Sequence, residues 1–452
     1  MTIMNGKTQY EHISSYKPIF QTSVNNVSRF RKTITFTDNV VPDTDDNTLT
    51  TQLLYSQGSN VYEIDCVLPL ESFNNSILLL DDQDNEVVPG ESTESATRKP
   101  DLDYGKAFES MEKNPLNAKW AYQGETITKL TYISGSSTDV NAIGMASNGS
   151  LAWFRDGVKV PVHIMQEMMG PGTSFSSMHS IKGSEHLAVS DFSISFDSET
   201  VVKSHSNGSA DESILKIVDN SGKPGELLRK LRVPGTTVTH AVRFLDNHMF
   251  VTCSDDNIVR FWDTRTKDEP LFILSDPNNG LLTSFDVSPV ATSLFATGSD
   301  TGIVKLWDVR AVSNAAVDLS NRQNGEDPIQ TEIVTLHHAG GDNVVDIHFS
   351  ETSSNEFVTV GGTGDVYHWD MSSFMSEFDD DNDDTEVLNL PATEEVNSTC
   401  LKFFHTGGSK RSPSNRGMKN TVAWHPVISD LIGTVDVDSL ISVYKPFTAP
   451  AN

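Results

Sequence analysis

The densest chemistry in the chain is acidic. Glu377-Phe-Asp-Asp-Asp-Asn-Asp-Asp-Thr-Glu386 concentrates carboxylates that could ligate calcium or receive a cationic partner. An EF-hand loop opening at Asp380 would place Asn382 and Asp384 at ligand positions three and five. Thr385, however, stands where that loop turns on glycine, and Pro391 where the bidentate glutamate belongs, so the calcium motif fails. What remains is a solvated acidic loop or a landing site for a Lys/Arg-rich segment, with Asp379, Asp380, Asp381, Asp383 and Asp384 as the candidate contacts. Downstream, Phe403 and Phe404 are candidate apolar anchors, with Trp424 beyond them. Lys410 and Arg411, beside the phosphorylatable Ser412-Pro413, form a small basic cluster. Gly361-Gly362-Thr363-Gly364 looks suited to phosphate but occupies a strand turn rather than a helix start. His337-His338 is an adjacent pair with no further ligand close in sequence, so no metal site is written there. No nucleophile elbow, zincin, P-loop or dinucleotide fingerprint occurs. Catalysis, cofactor and metal sites are all expected to be absent.

The whole chain is acidic too: 452 residues with 33 Lys+Arg against 62 Asp+Glu, a formal charge of −29. That balance disfavours a nucleic-acid or anionic-membrane surface, which needs clustered Lys/Arg. The charge is concentrated. Asp38 to Glu112 holds 17 acids and three bases, and Ser376 to Val396 nine acids and no base. These two stretches account for 23 of the 29 excess negative charges, so the frame around them is nearly neutral. Cys66, Cys253 and Cys400 are far apart and form no CxxC, which points to a reducing compartment. The polar start, Met1–His12, is expected to be no signal peptide, and no apolar run is long enough to span a bilayer. A soluble protein, either cytoplasmic or nuclear, is expected, and the resemblance described below favours the nucleus.

A repeat must position these residues. Three segments share strand, tight polar turn, strand and Trp-Asp: Phe250 to Trp262-Asp263, Phe295 to Trp307-Asp308, and Phe357 to Trp369-Asp370. The turn residue lies five positions before the tryptophan, at Asn257, Gly302 and Gly364. The same offset finds weaker copies ending at Ile64, Phe154, Val218 and Tyr444. This is the WD-repeat pattern. The seven anchors predict an all-β, seven-bladed β-propeller forming a single domain over residues 1–452. Closing the ring should require a short strand from the N-terminal region, beyond a short flexible start. The acidic stretches read as insertions at about 66–120 and 371–420. One short helix is expected over Asp101–Lys113, with Tyr104, Phe108 and Met111 on one face, either plugging the propeller or binding a partner.

The C-terminal sequence sharpens the reading. An acidic loop, Leu401-Lys-Phe-Phe-His-Thr-Gly-Gly408 and Thr421-Val-Ala-Trp-His-Pro426 resemble the last blades of histone-binding WD proteins of the retinoblastoma-associated and Msi type. The chain departs from them in having no long helix before its first blade. Asp103-Tyr-Gly-Lys-Ala-Phe108, Trp120-Ala-Tyr-Gln-Gly-Glu125, the Trp262 and Trp307 blades and Phe403-Phe-His-Thr-Gly-Gly408 are similar to the fungal WD-repeat transcriptional modulators, the Ume/Wtm group. That resemblance implies a non-enzymatic scaffold. It would serve in transcriptional repression as a subunit of a histone deacetylase corepressor complex, with deacetylase subunits and basic histone segments as partners. The alternative it carries is a nuclear retention or chaperone-like adaptor for a non-histone protein such as the ribonucleotide reductase small subunit. An RNA-associated WD subunit would need the basic face that this composition lacks.

Overall fold

A computed structural model describes residues 8–18, 32–43, 45–69, 108, 116–135, 139–167, 191–206, 213–233, 235, 238–266, 268–275, 280–321, 332–372, 393–406, 419–436 and 438–448. Their 28 strands form seven separate four-stranded antiparallel sheets, the blades of a propeller. The N-terminal strand β1 (Thr8–Tyr16) comes first but belongs to the last blade. Blade 1 holds β2 (Lys32–Asp43), β3 (Thr48–Gln57), β4 (Asn60–Pro69) and β5 (Ala118–Ala121). Blade 2 holds β6 (Ile127–Tyr132), β7 (Ala142–Ala146), β8 (Leu151–Phe154) and β9 (His163–Met165). Blade 3 is β10 (Phe192–Ile194), β11 (Thr200–Ser206), β12 (Ser213–Asp219) and β13 (Leu227–Val233). Blade 4 is β14 (Thr239–Phe244), β15 (Met249–Ser254), β16 (Ile258–Asp263) and β17 (Phe272–Ser275). Blade 5 is β18 (Leu282–Val287), β19 (Leu294–Ser299), β20 (Ile303–Asp308) and β21 (Glu332–His337). Blade 6 is β22 (Val344–Phe349), β23 (Glu356–Gly361), β24 (Val366–Asp370) and β25 (Leu401–His405). Blade 7 is β26 (Val422–Trp424), β27 (Ile432–Val435) and β28 (Ile441–Thr448), with β1 as its outer strand.

All seven anchors sit on the third strand of their own blade and are buried. Trp262 pairs with Phe250, Trp307 with Phe295 and Trp369 with Phe357; Ile64, Phe154, Val218 and Tyr444 pair with Leu53, Ala142, Val201 and Ile432. The turn five residues earlier demands a left-handed backbone in most blades. Asn257, Gly302, Gly364, Gly149 and Ser439 all have φ between 61° and 93°. At Gly302 the constraint is also steric: a Cβ would lie 2.7 Å from the Asp342 carbonyl oxygen. Asn257 tolerates the conformation and uses its amide to bridge blades, donating to the Gly280 carbonyl and accepting from Leu282 N–H.

Core clusters span adjacent blades. Val251 and Phe261 of blade 4 pack with Phe285 and Phe295 of blade 5. Second strands such as β19 are therefore buried along their whole length, because both faces of each blade meet a neighbour. The closing seam joins Phe36, Leu53 and Ile64 to Ile428, Val435 and Val443, and Tyr16 stacks on Phe108 there, centroids 5.5 Å apart. Of the helix expected over Asp101–Lys113, only Phe108 lies among the described residues, and it is fully buried in this seam.

Two α-helices occur among the described residues. Helix α1 (Val309–Asn321) follows β20 and lies against the outer strand β17 of the preceding blade, with Val312 buried beside Phe272 and Leu274. Helix α2 (Thr393–Cys400) precedes β25 and lies against β21, where the Asn397 amide exchanges two hydrogen bonds with the main chain of His337. Its sequence, TEEVNSTC, has little intrinsic helix preference. Docking of Val396 and Cys400 against Val334 and Leu336 stabilises it, which a local reading does not reveal.

Blade 6 carries a complete buried hydrogen-bond chain. Trp369 Nε1–H donates to Thr359 Oγ1 at 2.9 Å, and the Thr359 hydroxyl meets His338 Nε2 at 2.6 Å. His338 Nδ1 lies 3.1 Å from the Asp342 carbonyl, which can only accept, so Nδ1 bears the proton and Nε2 receives the threonine hydroxyl. Blades 4 and 5 keep only the first link, Trp262 to Thr252 and Trp307 to Thr297. Thr359→Val should therefore cost about 2–4 kcal/mol, roughly 1 kcal/mol more than Thr252→Val, because it strands two buried polar groups instead of one. Urea unfolding of both variants measures the difference, and equal losses would refute the chain.

Burial holds His338, His240 and His425 neutral, pushing each down to about 3 from an ordinary 6.5. The unfolded chain thus takes up these protons first as pH falls. Their stabilisation is full above pH 6.5 and declines below it, by about 2 kcal/mol each at pH 5. His348, raised despite its burial by Asp346, works in the opposite direction, as do the carboxyls of Glu351, pushed up to about 7 by burial, and Glu356, raised by burial. The melting temperature should still fall between pH 7 and pH 5, because the neutral imidazoles outweigh these groups; a flat profile there would contradict it.

Candidate interaction surfaces and the central channel

Strand direction sorts the connections by end. First and third strands of a blade run the same way, so first-to-second turns and third-to-fourth connections share one end, here called the mouth end. The stretches between β4 and β5 and between β24 and β25 both leave the fold there, from blades 1 and 6. These stretches carry Asp81 to Glu112 and Glu377 to Glu386, so much of the excess acid is rooted at one end. The regions read as insertions also contribute blade strands: β4 continues to Pro69, β5 begins at Ala118 and β25 spans Leu401–His405.

The sequence-selected contact residues do not gather in one place. Asp379, Asp380, Asp381, Asp383, Asp384, Lys410 and Arg411 lie outside the described residues, as does Ser412. Their points of attachment differ: Asp379–Asp384 follow the third strand of blade 6 at the mouth end, whereas Lys410 and Arg411 join β25 to β26 at the opposite, base end. Phe403 is half-buried against His368 and Tyr444, and Trp424 is buried with its indole N–H on the His348 carbonyl. Phe404 alone of these aromatics is exposed, at 38%, edge-on to Tyr367.

The feature that sequence reading missed is the channel. The residue just before the last apolar side chain of each first strand faces the axis: Thr35, Thr131, Ser193, Arg243, Asp286, His348 and Ala423 all line it. Their signal is weak because the type varies at each turn of the ring; only position relative to Phe36, Tyr132, Ile194, Phe244, Val287, Phe349 and Trp424 recurs. Around this layer runs a polar belt. Lys129 pairs with Asp191 at 2.7 Å, Asp191 with Arg243 at 2.6 Å, and Arg243 with Asp286 at 2.6 Å. Asp286 then accepts Phe349 N–H, and Asp346 accepts from His348 and from Asn420 N–H. Asn420 donates to the Thr128 carbonyl of blade 2 and accepts from Ile34 N–H of blade 1. The belt thereby touches every blade.

Its electrostatics are mutually compensating. Burial opposes charge on Asp191, but Lys129, Arg243 and the Val242 N–H outweigh it and hold the carboxyl far below its usual range. Asp346 is lowered to about 2: burial opposes its charge, and His348 and Lys419 overcome it. Burial, assisted by Arg243, lowers Lys129. At the base end Lys419 reaches across to the Thr283 carbonyl at 2.8 Å. The thiols are inert by the same physics: burial pushes Cys253 to about 12 and Cys400 to about 11. Among the described residues no cluster of three His, Cys, Asp or Glu could hold a metal, and no helix is long and apolar enough to cross a membrane.

The WD domain, G-beta repeat family matches residues 225–263 and 268–308, each spanning the fourth strand of one blade and the first three of the next, β13–β16 and β17–β20. Over 440 residues the chain is 57% identical to Transcriptional modulator WTM2 of Saccharomyces cerevisiae, covering 97% of this chain and 93% of that one. It is 53% identical to Transcriptional modulator WTM1 of the same yeast, over 97% and 96% of the two chains. Transcriptional regulatory protein UME1, also from that yeast, is 38% identical over 97% of this chain and 91% of its own length. Among solved structures, a chain of the Mitotic Checkpoint Complex aligns with TM-score 0.54 at 10% identity, over 99% of this chain and 98% of that one. Chaetomium thermophilum Raptor aligns at the same TM-score and 11% identity, over 98% of this chain and 30% of its own. These two likenesses speak to the fold alone.

Replacing Arg243 by Met should destabilise the protein by about 3–5 kcal/mol, since Asp191 and Asp286 would keep buried charges without their shared partner. Denaturant titration reads the loss directly. A change below about 1 kcal/mol would mean that the belt does not hold the blades.

Proposed function

The chain belongs to the WD-repeat family of these yeast transcriptional modulators, and from that premise we propose that it is a non-enzymatic scaffold of transcriptional repression, a subunit of a histone deacetylase corepressor complex. The observation that carries the reading is similarity along essentially the whole chain to two transcriptional modulators and a transcriptional regulatory protein. WD-repeat modulators are in general non-catalytic, and the motif-free sequence and inert thiols agree with that role. A nuclear site of action follows from the same kinship.

The geometry suits a scaffold. A closed ring presents loops on two ends and a rim without moving its core, and binding resides in those loops. Acid rooted at the mouth end from blades 1 and 6 favours a basic partner approaching that end, such as a histone segment, and would act on association rate and selectivity more than on affinity.

Affinity purification of the full-length protein from nuclear extract, followed by mass spectrometry, tests the assignment. Recovery of a class I deacetylase with corepressor subunits is the expected result. Recovery of a ribonucleotide reductase small subunit without any deacetylase would replace it by the retention-adaptor reading. Deletion of Glu377–Glu386 should weaken low-salt binding of a basic histone peptide by roughly tenfold while leaving the melting temperature nearly unchanged. Unaltered binding would reduce this run to a solubilising loop.

A further inference from the structure

The central channel is closed at one end and open at the other. At the base end Lys419 and Asn420 cross it to carbonyls of blades 5 and 2, leaving only about 20 Å³ of space. At the mouth end a cavity of about 470 Å³ opens, within the range of roughly 300–1,000 Å³ found for ligand pockets. Its axis-facing lining is polar, with the rings of Phe192, Phe244, Phe349 and Trp424 bordering it but buried, and Phe196 stands 49% exposed at its rim.

The charges within are spoken for, with one exception. Lys129 and Arg243 are held by Asp191 and Asp286, and His348 by Asp346. Glu351, two residues past the end of β22, lines the mouth beside Asp286 and His348 and is exposed. It makes no hydrogen bond or ion pair among the described residues. The belt beneath it is internally compensated; burial and the nearby Asp286 push the Glu351 carboxyl up to about 7, against the opposing pull of His348, so a cation brought to the mouth would restore its charge. A long cationic side chain fits the mouth and its Phe196 rim, because its aliphatic stem covers apolar surface while its head keeps a polar partner. A guanidinium or ammonium also gains from aromatic faces.

We propose that the channel mouth is a receptor site for a single arginine or lysine side chain carried by an extended basic segment of a partner protein, with Glu351 as its counter-ion and Phe196 as its rim contact. The acidic stretches rooted at the same end would concentrate such a segment there, whereas the channel reads one residue of it. The site does not rest on the deacetylase assignment, since any basic partner could present the side chain.

The test titrates three capped Gly/Ser peptides, alike except for a central Arg, Lys or Gln, into the full-length protein at low salt, read by calorimetry. At least one cationic peptide should bind about tenfold or more tightly than the Gln peptide. Glu351→Gln and Phe196→Ala should each abolish that preference, and deletion of Glu377–Glu386 should leave it in place. The Phe196 variant keeps the test decisive should the Glu351 variant fold poorly. The proposal is overturned if the wild type shows no preference, if the preference survives Glu351→Gln or Phe196→Ala in a folded protein, or if it disappears with the acidic run, which would move the site to that loop. The Arg and Lys arms identify which cation the mouth receives.

Discussion

A ring of sheets exists only if it closes, and here closure depends on the pairing of β1 with β28. The two ends of the chain build one blade: Thr8 to Tyr16 runs antiparallel to the final strand and covers its edge. Without it, blade 7 would end in bare main-chain donors and acceptors, the template on which sheets aggregate. The seam between blades 7 and 1 is then filled by Tyr16, from the strand that completes blade 7, and Phe108, from the stretch between β4 and β5. Helices α1 and α2 protect the outer strands of blades 4 and 5, with Asn397 satisfying the edge at His337. The geometry of the channel and its mouth follows from this closure, since the first strands face a common axis only in a complete ring.

Inside the ring, the repeat's internal hydrogen bonding is thin. A full Trp–Thr–His chain appears in blade 6, while blades 4 and 5 retain the Trp–Thr link. The remaining indoles find acceptors outside that pattern: Trp120 on the Arg155 carbonyl, Trp153 on Asn220 and Trp424 on the His348 carbonyl. Aromatic packing between blades and the polar belt along the axis carry what the repeat motif leaves out. Ion pairs in such a place contribute little net stability over an apolar filling, but they penalise wrong assembly strongly because each charge has its partner on another blade. The belt is thus a device of register as much as of strength.

Function is distributed over this rigid frame unevenly. The mouth end gathers the roots of two acidic stretches, the open cavity and Glu351, whereas the base end is sealed by Lys419 and Asn420. These points of attachment give an otherwise pseudo-symmetric ring a direction. The stretch that carries Lys410 and Arg411 joins β25 to β26 at the other end, so two charge clusters adjacent in sequence are attached at different ends.

How much of this was legible depends on the range of the interaction concerned. The strand-turn-strand spacing, the left-handed turn residues and the Trp-Asp closure are local, repeated at short intervals, and they determined blade number, blade order and the seven anchors by themselves. The family followed from equally local motifs. The two helices that the sequence reading did not expect mark the limit: α2 has a poor helix-forming sequence and exists because blade 5 offers it an apolar groove and an open edge. The channel lies further beyond that limit. Lys129, Asp191, Arg243, Asp286, His348 and Asn420 are separated by tens of residues and follow no recurring residue type, so nothing in the chain order marks them as one network. Only curvature of the ring brings them within hydrogen-bond reach, and only burial gives their charges consequence. The sequence therefore determined the repeat and the kinship; tertiary structure decided which ends the loops share and which charges are spent on holding the blades, because those depend on contacts between residues far apart in the chain.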